Sequence, residues 1–409
     1  MDNGLRVVLF EDHVAPLVAV NVSYGVGSRH ERTGRTGLAH LFEHLMFQGS
    51  AHVAEGEHAA LMTGAGGRFN AATSFEWTAC YETLPTGHLE LALWLEADRM
   101  ATMAGSLTQA KLDNQRDVVK NERRQRYDTM PYGTAAESLH AMGFPPGHPY
   151  AHLPIGSMAD LDAATLDDCR DFFATHYAPG NAVLAIAGDI DPEQAGDAVR
   201  RYFGHLRPRT AADPPHDVAG PIERTVREQV RERVPAAAYF VLFRLPRDGT
   251  QEIEAADLAV DILAAGRSSR LHDRLVRGRL ATDVHFAVDR YAWGASVGML
   301  SVLAVDGVDL ADIETAVAEE LRLLAADGPT AAELERVHAQ AERRFLDRTG
   351  SVTGIADRLA RNATLFGDPA RTFTTVERVA AVTAEQVTAT VAARLSTAGH
   401  AVLTYEPIS

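Results

Sequence analysis

The chain has 409 residues, 46% of them apolar, and a formal charge of −16. That length predicts two or three domains with a real core, and the apolar share excludes a disordered chain. The acid excess argues against a nucleic-acid partner, and no run approaches the ~18 apolar residues of a membrane span.

The opening segment "MDNGLRVVLFED" reads as a first strand and not as a secretory signal. In "LVAVNVSYGVG", Val18, Val20 and Val22 alternate and predict a second strand. A helix is expected over about 36–48. It is followed by two extended stretches in "GGRFNAATSFEWTACYETLP". Residues 88–103 read as a helix. Ser106 with Gln109 resembles a capping box opening a long polar helix to about Tyr127. "GNAVLAIAGDID" predicts a short apolar strand ending in a turn. The two cysteines, Cys80 and Cys169, form neither a disulfide framework nor a Cys-x-x-Cys site, which fits a reducing, cytoplasmic compartment.

Residues 205–223 are proline-rich with little periodicity and mark a linker. After it the pattern restarts. Leu161 and Thr165 are echoed by Val379 and Thr383, each pair followed by a helix and an Ala-Val-Leu strand. The expected fold is α+β, with two homologous, duplicated domains, each an antiparallel-rich sheet packed with helices on one face. The expected division is 1–208, a linker over 209–224, and 225–409.

"GLAHLFEHLMFQGS" carries the chemistry. Side chains three and four apart share a helical face. Leu38, Leu41, Phe42 and Leu45 form one stripe, and His40, Glu43, His44 and Phe47 form another, with Gly49 as the helix stop. Two imidazoles one turn apart can hold one zinc ion, and a carboxylate on the same face can act as a general base. A polar solvated face is the plain alternative. A catalytic zinc needs a third protein ligand. Asp113, Asp117 and Glu122 are available on the polar helix, with Glu122 one turn from Val118 at the edge of a buried stripe. Glu96 and Asp98 compete from the helix before it, and periodicity does not choose among them.

Over nearly its whole length the sequence resembles the pitrilysin/insulinase family of zinc peptidases, above all bacterial relatives of the mitochondrial processing peptidase β subunit. The resemblance rests on the opening strands, "GLAHLFEHLMFQGS", "GGRFNAATSFEWTACYETLP", "NQRDVVKNERRQRYDTMPYG" and "GNAVLAIAGDID". It implies His40, His44 and Glu122 as Zn2+ ligands and Glu43 as the general base of peptide hydrolysis. It implies that Asn70 and Ala71 lie on an edge strand that binds the peptide substrate. Glu76 reads as an ordinary surface acid. Where the family often has a supporting glutamate, this chain has Gln115.

Family members also use an Arg and a Tyr, seven apart, to hold substrate. In "GRSSRLHDRLVRGRLATDVHF" those positions are Leu275 and Thr282, and the nearby Arg274 and Arg277 read as a solvated helix face. The resemblance therefore implies a zinc-bearing subunit that forms a closed chamber with a homologous partner subunit supplying the pair. A homodimer, or a non-catalytic core subunit that keeps zinc, is the alternative.

Overall fold

A computed structural model describes residues 1–209, 220–396 and 399–408. Most of the expected linker, residues 210–219, lies outside the described residues. The chain forms two compact units. The first comprises Met1–Arg123, the described part of His152–Pro214, and Leu346–Phe373. The second comprises Arg124–Ala151, the described part of Pro215–Phe345, and the described part of Thr374–Ser409. Two helical segments thus join the unit of the opposite half of the chain.

The first unit holds a five-stranded sheet of β1 (Arg6–Glu11), β2 (Leu17–Tyr24), β3 (Arg68–Thr73), β4 (Thr78–Pro85) and β5 (Ala182–Gly188), in the order β1-β5-β2-β4-β3. Only β1 and β5 run parallel; the other pairs are antiparallel. Val18, Val20, Val22 and Tyr24 are all buried from one face of β2, as their alternation requires. On the other face Ala19, Ala185 and Ala187 meet Ile355, Ala356, Leu359 and Ala360 of the Val352–Phe366 helix. Alanines let that helix approach closely, so this sheet has helices on both faces.

The second unit repeats the plan. Its sheet contains β6 (Val226–Glu232), β7 (Ala238–Leu245), β8 (Ala281–Asp289), β9 (Ser296–Ala304) and β10 (Ala401–Pro407), in the order β6-β10-β7-β9-β8. Taken in sequence, this is the strand order of the first sheet, again with only the outermost pair, β6 and β10, parallel. The helix Ala135–Gly143, from the first half of the chain, lies on β7 and β10. The echoed threonines have one local role. Thr165 and Thr383 both cap a helix through a capping box, with Asp168 and Gln386 as the reciprocal partners. Two α+β units of one topology are what a duplication produces. No described helix is long and apolar enough to cross a membrane.

Candidate metal centre

Helix α1 spans Leu38–Leu45, shorter than the expected 36–48. It begins after Gly37, whose φ of 88° and whose approach to Ile155 leave no room for a side chain: a Cβ would sit 2.8 Å from the Ile155 carbonyl oxygen. Its first amides are satisfied by a residue that sequence reasoning missed. The buried Glu31 carboxylate accepts from Gly37 N at 2.9 Å and Ala39 N at 2.7 Å, and pairs with His152 Nε2 at 2.9 Å. An acid six residues ahead of a helix carries no standard capping signature. Burial pushes this carboxyl above its usual range, while His152 and the two amides oppose the rise. The helix ends before Gly49, which instead serves a turn at φ 92°.

The two stripes of α1 separate as the spacing predicts. Leu38, Leu41, Phe42 and Leu45 are buried, whereas His40, Glu43 and His44 are only partly so. The two imidazoles lie 4.8 Å apart, centroid to centroid.

After α2 (Glu57–Gly64) and α3 (Leu89–Ser106) comes α4 (Gln109–Arg123), which delivers the third donor. The Ser106–Gln109 box does not form, because Ser106 still belongs to α3; Thr108 Oγ1 accepts from Lys111 N instead. Regular α-helix stops at Arg123 and continues as a π-turn over Arg124–Asp128. Leu112, Gln115 and Val119 are buried, but Val118 is 40% exposed, so the buried stripe runs one residue away from the expected one. Arg116 pins the helix by donating to the carbonyls of Leu161 and Ala164.

Glu122 Oε2 lies 3.4 Å from His44 Nε2 and 3.8 Å from His40 Nε2. Donors arranged tetrahedrally about zinc at its usual bond lengths are roughly 3.3 Å apart, so two imidazole nitrogens and one carboxylate at these separations suit the ion. Among the described residues this is the one group of three or more such side chains close enough to hold a metal. None of the competing acids joins the histidines. Asp113 binds Gln109 and Arg116, Glu96 binds Arg99, and Asp98 binds Ser50 and His52; Asp117 is exposed.

Glu43 stands outside the donor group, and its Oε2 accepts a hydrogen bond from Thr73 Oγ1 on β3. Among the described residues strand β3 pairs only with β4, so its far side is an open sheet edge there. Asn70 is exposed there, and its Oδ1 accepts from the Ala71 amide at 2.9 Å. An amide bonded to its neighbour's side chain is not spent on β4. Glu76 is not the surface acid expected: it is 2% exposed and forms a buried ion pair with Arg29 at 3.6 Å.

In the second unit Leu275 is wholly buried in the core and presents no polar group. Thr282 is exposed, with Oγ1 donating to the Leu303 carbonyl at 3.3 Å. Arg274 pairs with Glu319 and Arg277 with Asp273, all largely exposed. The arginines are thus the solvated pairs expected of them.

Two family models match the chain. One, described as insulinase (peptidase family M16), covers residues 6–149, and the other, described as the peptidase M16 inactive domain, covers residues 163–341. An uncharacterised zinc protease of Mycobacterium leprae is 30% identical over 401 residues, 95% of this chain and 87% of that protein. A probable mitochondrial-processing peptidase subunit beta of Arabidopsis thaliana is 24% identical over 95% of this chain and 74% of its own length. The crystal structure of a protease from Helicobacter pylori superposes with a TM-score of 0.91 at 24% identity, covering 100% of this chain and 98% of that one. Both halves match M16 models, and the full-length likeness to the mycobacterial protein spans their join, so this chain belongs to peptidase family M16, the insulinase family.

Proposed function

We propose that this chain is the zinc-bearing subunit of a metalloendopeptidase, with His40, His44 and Glu122 as ligands and Glu43 as the general base. The observation that carries this reading is the convergence of three donor atoms beside a carboxylate on the same helix, itself bonded to an open sheet edge. The names of relatives as zinc proteases support the choice of metal.

The chain's own groups have distinct tasks. A peptide adds to β3 in extended form at Asn70 and Ala71, and the edge-facing backbone there binds its main chain, which makes recognition tolerant of sequence. The Asn70 side chain holds the Ala71 amide until the peptide replaces it. Bound zinc would supply a Lewis acid for the scissile carbonyl and for the attacking water. The Thr73 hydroxyl fixes Glu43 Oε2, and the Glu43 carboxylate so oriented takes the water proton and passes it to the leaving amine nitrogen.

The substrate-holding Arg and Tyr come from a homologous second subunit, since Leu275 is core and Thr282 is a short hydroxyl. The likeness to a processing-peptidase β subunit supports a heterodimer. The same missing pair also suits a non-catalytic core subunit that retains zinc. Metal content and hydrolysis of a quenched peptide, with and without a homologous candidate partner subunit, decide between them. Wild type with its partner should bind zinc and cleave, and Glu43→Gln should bind zinc and not cleave. If wild type with its partner cleaves nothing, the peptidase reading fails; if the isolated chain is as fast as the mixture, the division of labour fails.

A further inference from the structure

The first unit buries a charge set that the proposed chemistry does not use. The side chains of Glu82 on β4 and Glu96 on α3 are fully buried, and that of Arg99 is 5% exposed. Arg99 donates to Glu96 Oε1, whereas its Nη2 stays 3.8 Å from Glu82 Oε1. His58 Nε2 lies 3.9 Å from the same Glu82 oxygen. One guanidinium therefore serves two buried carboxylates. An uncompensated buried charge is strongly unfavourable, so the stable state has one cation and one anion. Glu96 makes the close pair, which leaves Glu82 as the protonated member. Burial, and then the neighbouring Glu96, push the Glu82 carboxyl well above its usual range. Burial, the largest influence, opposes ionisation of Glu96, but Arg99 and the hydrogen bond with Glu82 act together to bring that group below its usual value. His58 is held down to about 4, by burial and then by Arg99, and contributes no charge.

Arg99 has a second contact. Its guanidinium lies 5.1 Å from the centre of the Phe47 ring, within the range of a cation–π interaction. Phe47 lies two residues past the end of α1, and its amide reaches the His44 carbonyl at 3.4 Å. The same ring meets Phe69 at 5.4 Å, and Phe69 precedes Asn70 on β3. His58 packs edge-on against both rings.

We infer that Arg99 is a positioning residue for the proposed centre: clamped by Glu96, its guanidinium fixes Phe47 and so holds the end of the ligand helix α1 against the substrate strand β3. The inference rests on the zinc-peptidase reading. Arg99 touches no reacting atom and acts through Phe47. Glu82, kept neutral, stands 3.8 Å from the nitrogen that binds Glu96 and does not compete for it.

The test compares Arg99→Lys, Phe47→Leu, Phe47→Tyr and Glu82→Gln in the full chain with its partner subunit. Circular dichroism checks that each variant is folded. Zinc affinity is measured by competition with a chelator, and kcat with a quenched peptide. Residues that support metal ligands typically change affinity or activity by about 10–100-fold, and Arg99→Lys and Phe47→Leu should each lose roughly tenfold in both. Lysine keeps the charge but not the planar fork, and leucine keeps bulk but not the ring. Phe47→Tyr restores the ring and should recover most of the loss, whereas a role in packing alone would leave Phe47→Leu near wild type. Glu82→Gln mimics a protonated carboxyl and should stay within about twofold of wild type. Unchanged zinc affinity and kcat in folded Arg99→Lys and Phe47→Leu overturn the inference. So does a loss in Glu82→Gln as large as that in Arg99→Lys. If Arg99→Lys does not fold, the two Phe47 variants decide. If wild type binds zinc but cleaves nothing, the peptidase reading fails, and the zinc affinities still decide the positioning role.

Discussion

The Thr73 hydroxyl donates to Glu43 Oε2 at 2.5 Å and so joins the open edge strand β3 to the helix that carries the proposed base. A hydrogen bond to a charged group contributes about 1.5–3 kcal/mol. Thr73→Val keeps the branched shape and removes the donor. It should lower kcat by at least about tenfold while leaving bound zinc stoichiometric, as tested by steady-state kinetics and metal analysis. A variant with wild-type kcat would show that Glu43 needs no such anchor.

The base and the third donor should separate cleanly. Loss of a general base costs roughly 10²–10⁴-fold in rate, so Glu43→Gln should keep its zinc and fall by that range. Glu122→Ala should instead lose zinc affinity, because it removes one of the three donors that lie together. If Glu122→Ala retained zinc as tightly as wild type, the donor set would be wrong.

Leu275 and Thr282 should not accept an Arg/Tyr pair in place. Leu275 is wholly buried, so Leu275→Ala should destabilise the chain by about 2–5 kcal/mol, read from the denaturant midpoint. Leu275→Arg combined with Thr282→Tyr should unfold the second unit and give no activity to the isolated chain. Partner-independent cleavage by that double variant would show that Leu275 is not fixed in the core.

Glu82 gives a signed dependence on pH. Its carboxyl is raised in the fold by burial and then by Glu96. Between its unfolded and folded values the native state holds a proton that the unfolded chain has lost. Its contribution is therefore fully present below the unfolded pKa and is lost as pH rises. Glu82→Gln removes that loss. The variant's melting temperature should gain on wild type between pH 5 and pH 8; a gain that shrinks with rising pH would refute the protonated state.

Two largely shielded histidines carry the opposite sign. His30 is lowered to about 3, by burial, then His176 and then Arg29, and His58 to about 4, by burial and then Arg99. Both stay neutral in the fold. The stability they contribute is complete above the ordinary value of 6.5 and is lost as pH falls from there towards the lowered values, because the unfolded chain takes up protons that the native state refuses. Their imidazole NMR signals should not titrate above pH 5. Midpoints near 6.5 would mean that these rings are solvated.

Local patterns were legible because they depend on neighbours in sequence. The period of α1 put His40, Glu43 and His44 opposite Leu38, Leu41, Phe42 and Leu45, and the structure keeps that division. The alternation of β2 and the matching caps at Thr165 and Thr383 were equally visible. Other features depend on contacts between distant segments. Glu122, Glu96, Asp98, Asp113 and Asp117 are all acids on helices, and periodicity alone left them equivalent; the resemblance singled out Glu122, and in the fold only Glu122 is carried to the imidazoles. Glu76 looked like a surface acid because its partner, Arg29, is far away in the chain.

By itself the sequence determined the two-unit α+β plan and the face of α1 that carries His40, Glu43 and His44; that Leu275 and Thr282 stand where an Arg/Tyr pair would be expected came from the family resemblance. Periodicity, capping and side-chain chemistry are properties of short segments. Tertiary structure decided that α4 brings Glu122 to 3.4 Å from His44, that Glu31 caps α1, that Thr73 holds Glu43, and that Arg99 meets Phe47. It also decided that the Val352–Phe366 helix covers the first sheet from the other half of the chain. Each of these joins residues from separate elements, and only packing of the whole unit sets such distances.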